Sequence, residues 1–220
     1  MRGTLTLCAA LVPHLLRAAP RTPLACAAVL TLATGALPLL LGVRLGPEAA
    51  ASALRWAAVV CAVPLAFALD DPAAGTTATL PFPRTLRRLL RLALVLVPLA
   101  VLWTGCGLLL GHALGPATGP GLVAGLSPEA GALAAVTVLS AAFGLRLGGG
   151  ERGSPPALPC AVLLVPALAL SPVGAGAFAV PDGASWAASR WLWTLALVVT
   201  AGAAGALLGE RSPRRAPGAG

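Results

Sequence analysis

Six stretches of this chain are apolar for about the length that a bilayer crossing requires, and nothing else in the sequence constrains the fold as strongly. A helix rising ~1.5 Å per residue needs about 20 apolar residues to pass through a ~30 Å hydrocarbon core. Such stretches fall at 23–43, 50–69, 92–112, 129–146, 157–180 and 191–209. Arg55 could delay the start of the second. The fifth is interrupted by Ser171 and Pro172, which predicts a span ending near Leu170 and a re-entrant or interfacial piece over 173–180. With 58% hydrophobic residues and only 10% charged ones, a water-soluble core could not hide the apolar surface. The predicted fold is all-α: a polytopic membrane protein of six transmembrane helices, since in lipid a helix satisfies its own backbone groups.

Net charge +8 and a pI near 11.2 would suit nucleic-acid binding, but the placement of the charge argues against it. The arginines cluster in the polar intervals between apolar stretches. With the N-terminus inside, Arg2, Arg17, Arg21, Arg84, Arg87, Arg88, Arg91, Arg146, Arg152, Arg211, Arg214 and Arg215 share one side, and Arg44, Arg55 and Arg190 the other. Twelve against three favours both termini in the cytoplasm by the positive-inside rule. Trp56, Trp186, Trp191 and Trp193 then fall near the outer interface as an aromatic belt. The Ala, Gly, Pro and Arg bias with no lysine resembles GC-rich coding, which weakens arguments from small residues; the expected setting is a lipid bilayer, with no nucleic acid bound.

Residues 1–22 are expected to form an amphipathic helix in the inner interface, with Leu5, Cys8 and Val12 toward lipid and Arg2, His14 and Arg17 toward headgroups. A secretory leader is not expected, because Pro13, His14 and Arg17 interrupt the apolar run. Residues 23–209 form the six-helix domain, and 210–220, rich in Arg, Pro, Gly and Ser, a disordered cytoplasmic tail.

Few side chains are available for chemistry. Without lysine there is no phosphate-loop lysine and no Schiff base. Cys8, Cys26, Cys61, Cys106 and Cys160 lie in apolar surroundings without ligand spacing and read as packing residues. No enzyme activity, metal or cofactor is expected. Glu48, Asp70, Asp71, Glu129, Glu151, Asp182 and Glu210 all fall at predicted span ends or in loops, which disfavours proton-coupled transport. Arg55, the one charge within a predicted span, is expected to snorkel to the headgroups. Gly107/Gly111, Gly144/Gly148 and Gly205/Gly209 have the spacing that permits close helix approach.

The most informative interval is 70–91. It opens on Asp70 and Asp71 at a helix end, where negative charge is disfavoured unless a cation or N–H groups face it. It turns at Leu80-Pro81-Phe82-Pro83 and closes on the basic run Arg84, Arg87, Arg88 and Arg91. The arginines could instead hold anionic headgroups and pair with the acids.

Here the chain resembles the permease subunits of type-two ABC exporters, in which an acid, a Thr-x-x-x-Leu segment and a Pro-x-x-Arg segment follow the second span. Asp70 and Asp71 stand for the acid, Thr76 to Leu80 and Pro83-Arg84 for the rest; Ala74, Gly75 and Ala78 replace the usual leucines. The resemblance implies a passive permease that forms the translocation path. Asp70, Asp71, Pro83, Arg84, Arg87, Arg88 and Arg91 would meet a separate ATPase, and a homodimer or second permease would complete the pore. The alternative is a multi-pass scaffold or regulator that transports nothing.

Overall fold

The computed structural model describes residues 20–70, 84–114, 118–148, 152–181 and 183–209. Their regular structure is all helix, with no strand among the described residues. In chain order they form α1 (Arg21–Leu40), α2 (Pro47–Ala68), α3 (Arg84–Leu114), α4 (Thr118–Leu147), α5 (Ser154–Ala169), the single turn α6 (Gly174–Ala177) and α7 (Trp186–Leu208). Five of them, α1 to α4 and α7, are long and apolar enough to cross a membrane, and α5 is a shorter apolar helix of 16 residues. The expected interfacial segment at 1–22 and the tail at 210–220 lie outside the described residues, apart from 20–22.

Local sequence explains the helix ends. α1 stops in a Schellman motif: Gly42 takes φ +64, its N–H reaches the Leu39 carbonyl at 3.3 Å, and the Val43 N–H reaches that of Pro38 at 2.9 Å. Pro47 opens α2, where its missing N–H leaves no bond unmade. α5 gives way at Leu170, and Ser171 folds its hydroxyl back to the Leu168 carbonyl at 2.7 Å. The fifth helix thus ends where Ser171-Pro172 interrupts the apolar run.

Two helices start well before the predicted spans. α3 begins at Arg84, so the basic run forms its first two turns. α4 begins at Thr118, eleven residues before Glu129, and runs straight through Ser127-Pro128. Proline removes the N–H that would bond the carbonyl four residues back. In α4 that carbonyl is Ala124, and the Ser127 hydroxyl donates to it at 2.9 Å. The carbonyl that Pro128 leaves without its helical partner is thus satisfied locally.

α2 is the hub: 56% of its most apolar window is buried, against 17% for α1 and α7. Leu54, Leu65, Val95, Leu99, Cys106, Leu110 and Leu126 fill the space between α2, α3 and α4. Close approaches occur where side chains are missing. A Cβ at Gly111 would lie 1.9 Å from the Gly119 Cα, and one at Gly144 would strike Pro156 and the Gly153 carbonyl at 2.7 and 2.9 Å. Gly205 faces open space, so the third predicted pair makes no such contact on that side. The outer faces of α1 and α7 expose Val29, Leu30, Leu37, Leu195, Val198 and Val199. Such continuous apolar faces are untenable in water and ordinary against lipid.

Candidate functional site

One end of the bundle carries the α1–α2 turn, the end of α3, the start of α4 and residues 170–181. Just inside it, three charges from three helices meet. Arg55 of α2 donates from Nε to Glu129 Oε2 at 2.8 Å and from Nη2 to Oε1 at 3.2 Å. Arg190 of α7 also donates to Oε1 and reaches the Gly125 carbonyl one turn earlier in α4. All three side chains are largely buried, Glu129 most of all. Buried charge is retained only where it is paired and hydrogen-bonded, and Glu129 accepts from both arginines.

The non-helical stretch after α5 closes over this cluster. Arg55 Nη2 donates to the Ala179 carbonyl at 2.9 Å, and its guanidinium sits 5.4 Å from the Phe178 ring centre. The Ala177 carbonyl accepts from Ser189 Oγ at 2.6 Å and from Trp193 Nε1 at 2.8 Å. Arg190 lies 4.0 Å from the Trp186 ring. Broken backbone at this depth is tolerated only inside protein, and here side chains supply the bonds that a helix would have made. A cavity of about 20 Å³ borders Arg55 and Glu129, room for one water.

This geometry corrects two expectations. Glu129 is not at a span end but mid-helix and buried, because α4 continues across Pro128. Arg55 does not snorkel; it turns inward to that carboxylate. Trp193 is buried and Trp186 half-buried, both spent on the cluster, so only Trp56 and Trp191 stand exposed as belt residues would. The missed signal was an opposite-charge triple at matching depth, hidden because Ser127-Pro128 reads as a helix boundary.

The opposite end holds the described parts of the predicted interval, Asp70 and residues 84–91. Asp70 is fully engaged within the chain: Oδ1 accepts from the Gly153 and Ser154 N–H groups at 2.6 and 3.0 Å, and Oδ2 from Ser154 Oγ at 2.6 Å. N–H groups do face this acid, and they belong to the first turn of α5, which Asp70 caps from the end of α2. Arg91 donates to the Asp70 carbonyl at 3.0 Å. Arg84, Arg87 and Arg88 lie on the first turns of α3. Asp71 and Pro83 fall outside the described residues. Across the same end, Arg146 caps α7, donating to the Leu207 carbonyl at 2.6 and 3.1 Å and to that of Ala206 at 3.3 Å.

Between these ends runs an apolar recess. A space of about 270 Å³ opens between α2, α3 and α4 and adjoins one of about 370 Å³ between α3, α4 and α7. Leu96, Gly131 and Ala134 line both. No family model, no curated protein and no solved structure matches the chain.

Proposed function

We propose that the chain is the permease-type membrane subunit of an ATP-driven export system, similar to the type-two ABC exporters. It crosses a bacterial cytoplasmic membrane six times with both termini inside. α5 makes the fifth crossing together with the stretch that follows it. A separate ATPase docks on the 70–91 interval, and a second copy or second permease packs against the exposed α1 and α7 faces. The chain itself contributes no chemistry: it alternates between two arrangements of the bundle while the ATPase supplies the energy.

The observation that carries this assignment is the break after α5. Five long helices and one shorter apolar helix, whose continuation packs onto buried charge, support that reading. The seven arginines at the 69/84 end among the described residues, Arg21, Arg84, Arg87, Arg88, Arg91, Arg146 and Arg152, support a cytoplasmic face there. Isolation of the full chain from its native membrane is the test. Co-purification of an ATP-hydrolysing subunit, lost when 71–83 is replaced by a Gly/Ser linker, is the expected result. Purification as a complex without any ATPase would remove the assignment.

One observation favours the second reading, a scaffold or regulator that transports nothing. Asp70, the acid the resemblance offers to an ATPase, is already committed to capping α5. In a scaffold, that bond would simply lock the bundle.

A further inference from the structure

We propose that the cluster of Arg55, Glu129 and Arg190 is a binding site for one small monovalent anion, a halide such as chloride, seated in the cavity that Arg55 borders. The site rests on the cluster alone, so it stands whether or not the chain is a permease.

The balance of charge calls for an anion. Two guanidiniums share one carboxylate, and the side chains of Arg55, Arg190 and Glu129 are only 12%, 15% and 7% exposed. Taking charge out of water is costly unless each charge meets its opposite, and here one positive charge is left over among the described residues. The other groups on the two arginines do not cancel it. The Gly125 and Ala179 carbonyls and the Trp186 and Phe178 rings are polar partners without net charge. Glu48, the other described carboxylate at this end, stands exposed in the first turn of α2, two turns before Arg55. Donors are in excess as well. Glu129 accepts with both oxygens, yet Arg190 Nε is buried with no acceptor among the described residues.

The cavity sets the size of the anion. It measures about 20 Å³, with Leu54, Trp103, Phe178 and Trp193 among its walls beside Arg55 and Glu129. That is room for one particle about the size of a water. A halide suits such a space; sulfate, phosphate and a lipid headgroup, all polyatomic, do not. The donor comes from Arg55: Nε and Nη2 are spent on Glu129 and Ala179, which leaves Nη1 for the occupant. The two indoles on the wall are already engaged, Trp103 Nε1 with the Leu54 carbonyl at 3.1 Å and Trp193 Nε1 with that of Ala177 at 2.8 Å. A water in the cavity would accept a hydrogen bond and leave the surplus charge standing. A halide meets both demands.

The test uses the full chain in detergent, held in sodium gluconate and titrated with sodium chloride at constant ionic strength. The unfolding temperature should rise and saturate, because an anion bound only by the folded state stabilises it by mass action. Bromide should act as chloride does, and sulfate should have no effect. Trp103 and Trp193 give a second readout that needs no variant, since bromide seated against both indoles is a heavy-atom quencher. Their emission should fall saturably with bromide and recover with chloride, over the linear collisional quenching of exposed Trp56 and Trp191. Arg190→Met, which brings the cluster to neutrality and keeps the Arg55–Glu129 pair, should abolish both responses. Glu129→Gln, which adds one positive charge to the cluster, should tighten chloride binding by about ten-fold or more. Three results would overturn the proposal: sulfate stabilising as well as chloride does, which is screening without a site; bromide quenching that is linear throughout and indifferent to chloride; or a chloride response intact in Arg190→Met. If Glu129→Gln does not fold, Arg190→Met and the quenching of the wild type decide the matter.

Discussion

Arg55 and Glu129, 74 residues apart in the chain, form a two-point ion pair, Nε to Oε2 at 2.8 Å and Nη2 to Oε1 at 3.2 Å. Arg190 shares the same carboxylate, so one acid ties α2, α4 and α7 together. Arg55 also holds the Ala179 carbonyl, which fastens the broken stretch after α5 to the same point. The cluster is a lock on one end of the bundle. Asp70 and Arg146 bind helix ends together at the other.

Removing Glu129 should cost more than removing the whole pair. Glu129→Ala strands two buried arginines and should destabilise the protein by about 3–5 kcal/mol, the range for breaking a buried pair from one side. Glu129→Leu combined with Arg55→Met and Arg190→Met should recover most of that loss, because no charge is left unpaired. Thermal unfolding in detergent measures both, and equal losses in the two variants would show that the charges do not act as a unit.

Asp70→Ala should lower stability by about 1–2 kcal/mol, because the first turn of α5 loses the acceptor for two N–H groups. Asp70→Asn should retain part of the cap. Proteolysis rates within residues 148–153 would report the loosened start of α5. An Asp70→Ala protein as stable as the wild type would mean that water replaces the carboxylate without loss.

ATPase association should depend on the turn more than on Asp70. Pro83→Ala with Arg84→Ala should weaken it by about 1–3 kcal/mol, the range for anchoring contacts at an interface, with insertion and stability unchanged. Arg152→Ala should matter less. Pull-down of the ATPase from membranes checks this, and wild-type association in the turn variant would favour the scaffold.

Topology follows from the arginine distribution. Reporter fusions after Gly46 and Gly183 should score outside, and fusions after Thr77, Gly150 and Gly220 inside. A cytoplasmic signal from the Gly183 fusion would mean that α5 and its folded-back continuation do not complete a crossing.

The apolar runs by themselves determined that the chain is helical and built of membrane-length segments, because hydrocarbon leaves the backbone no other partner than itself. They also pointed to the end of α5, where Ser171-Pro172 interrupts the apolar run and the helix gives way although Ser171 covers the Leu168 carbonyl. The same logic misplaced the start of α4, since Ser127-Pro128 is locally as strong a stop. Tertiary structure decided that case. Arg190 from α7 binds the Gly125 carbonyl, Ser127 covers that of Ala124, and the helix runs on to bury Glu129. Likewise the sequence showed that Asp70 needed N–H groups opposite it, but not that Gly153 and Ser154 would provide them. Periodicity and length are properties of one segment and can be read from it. Which charge meets which carbonyl depends on how segments far apart in the chain come to lie side by side, and only packing sets that.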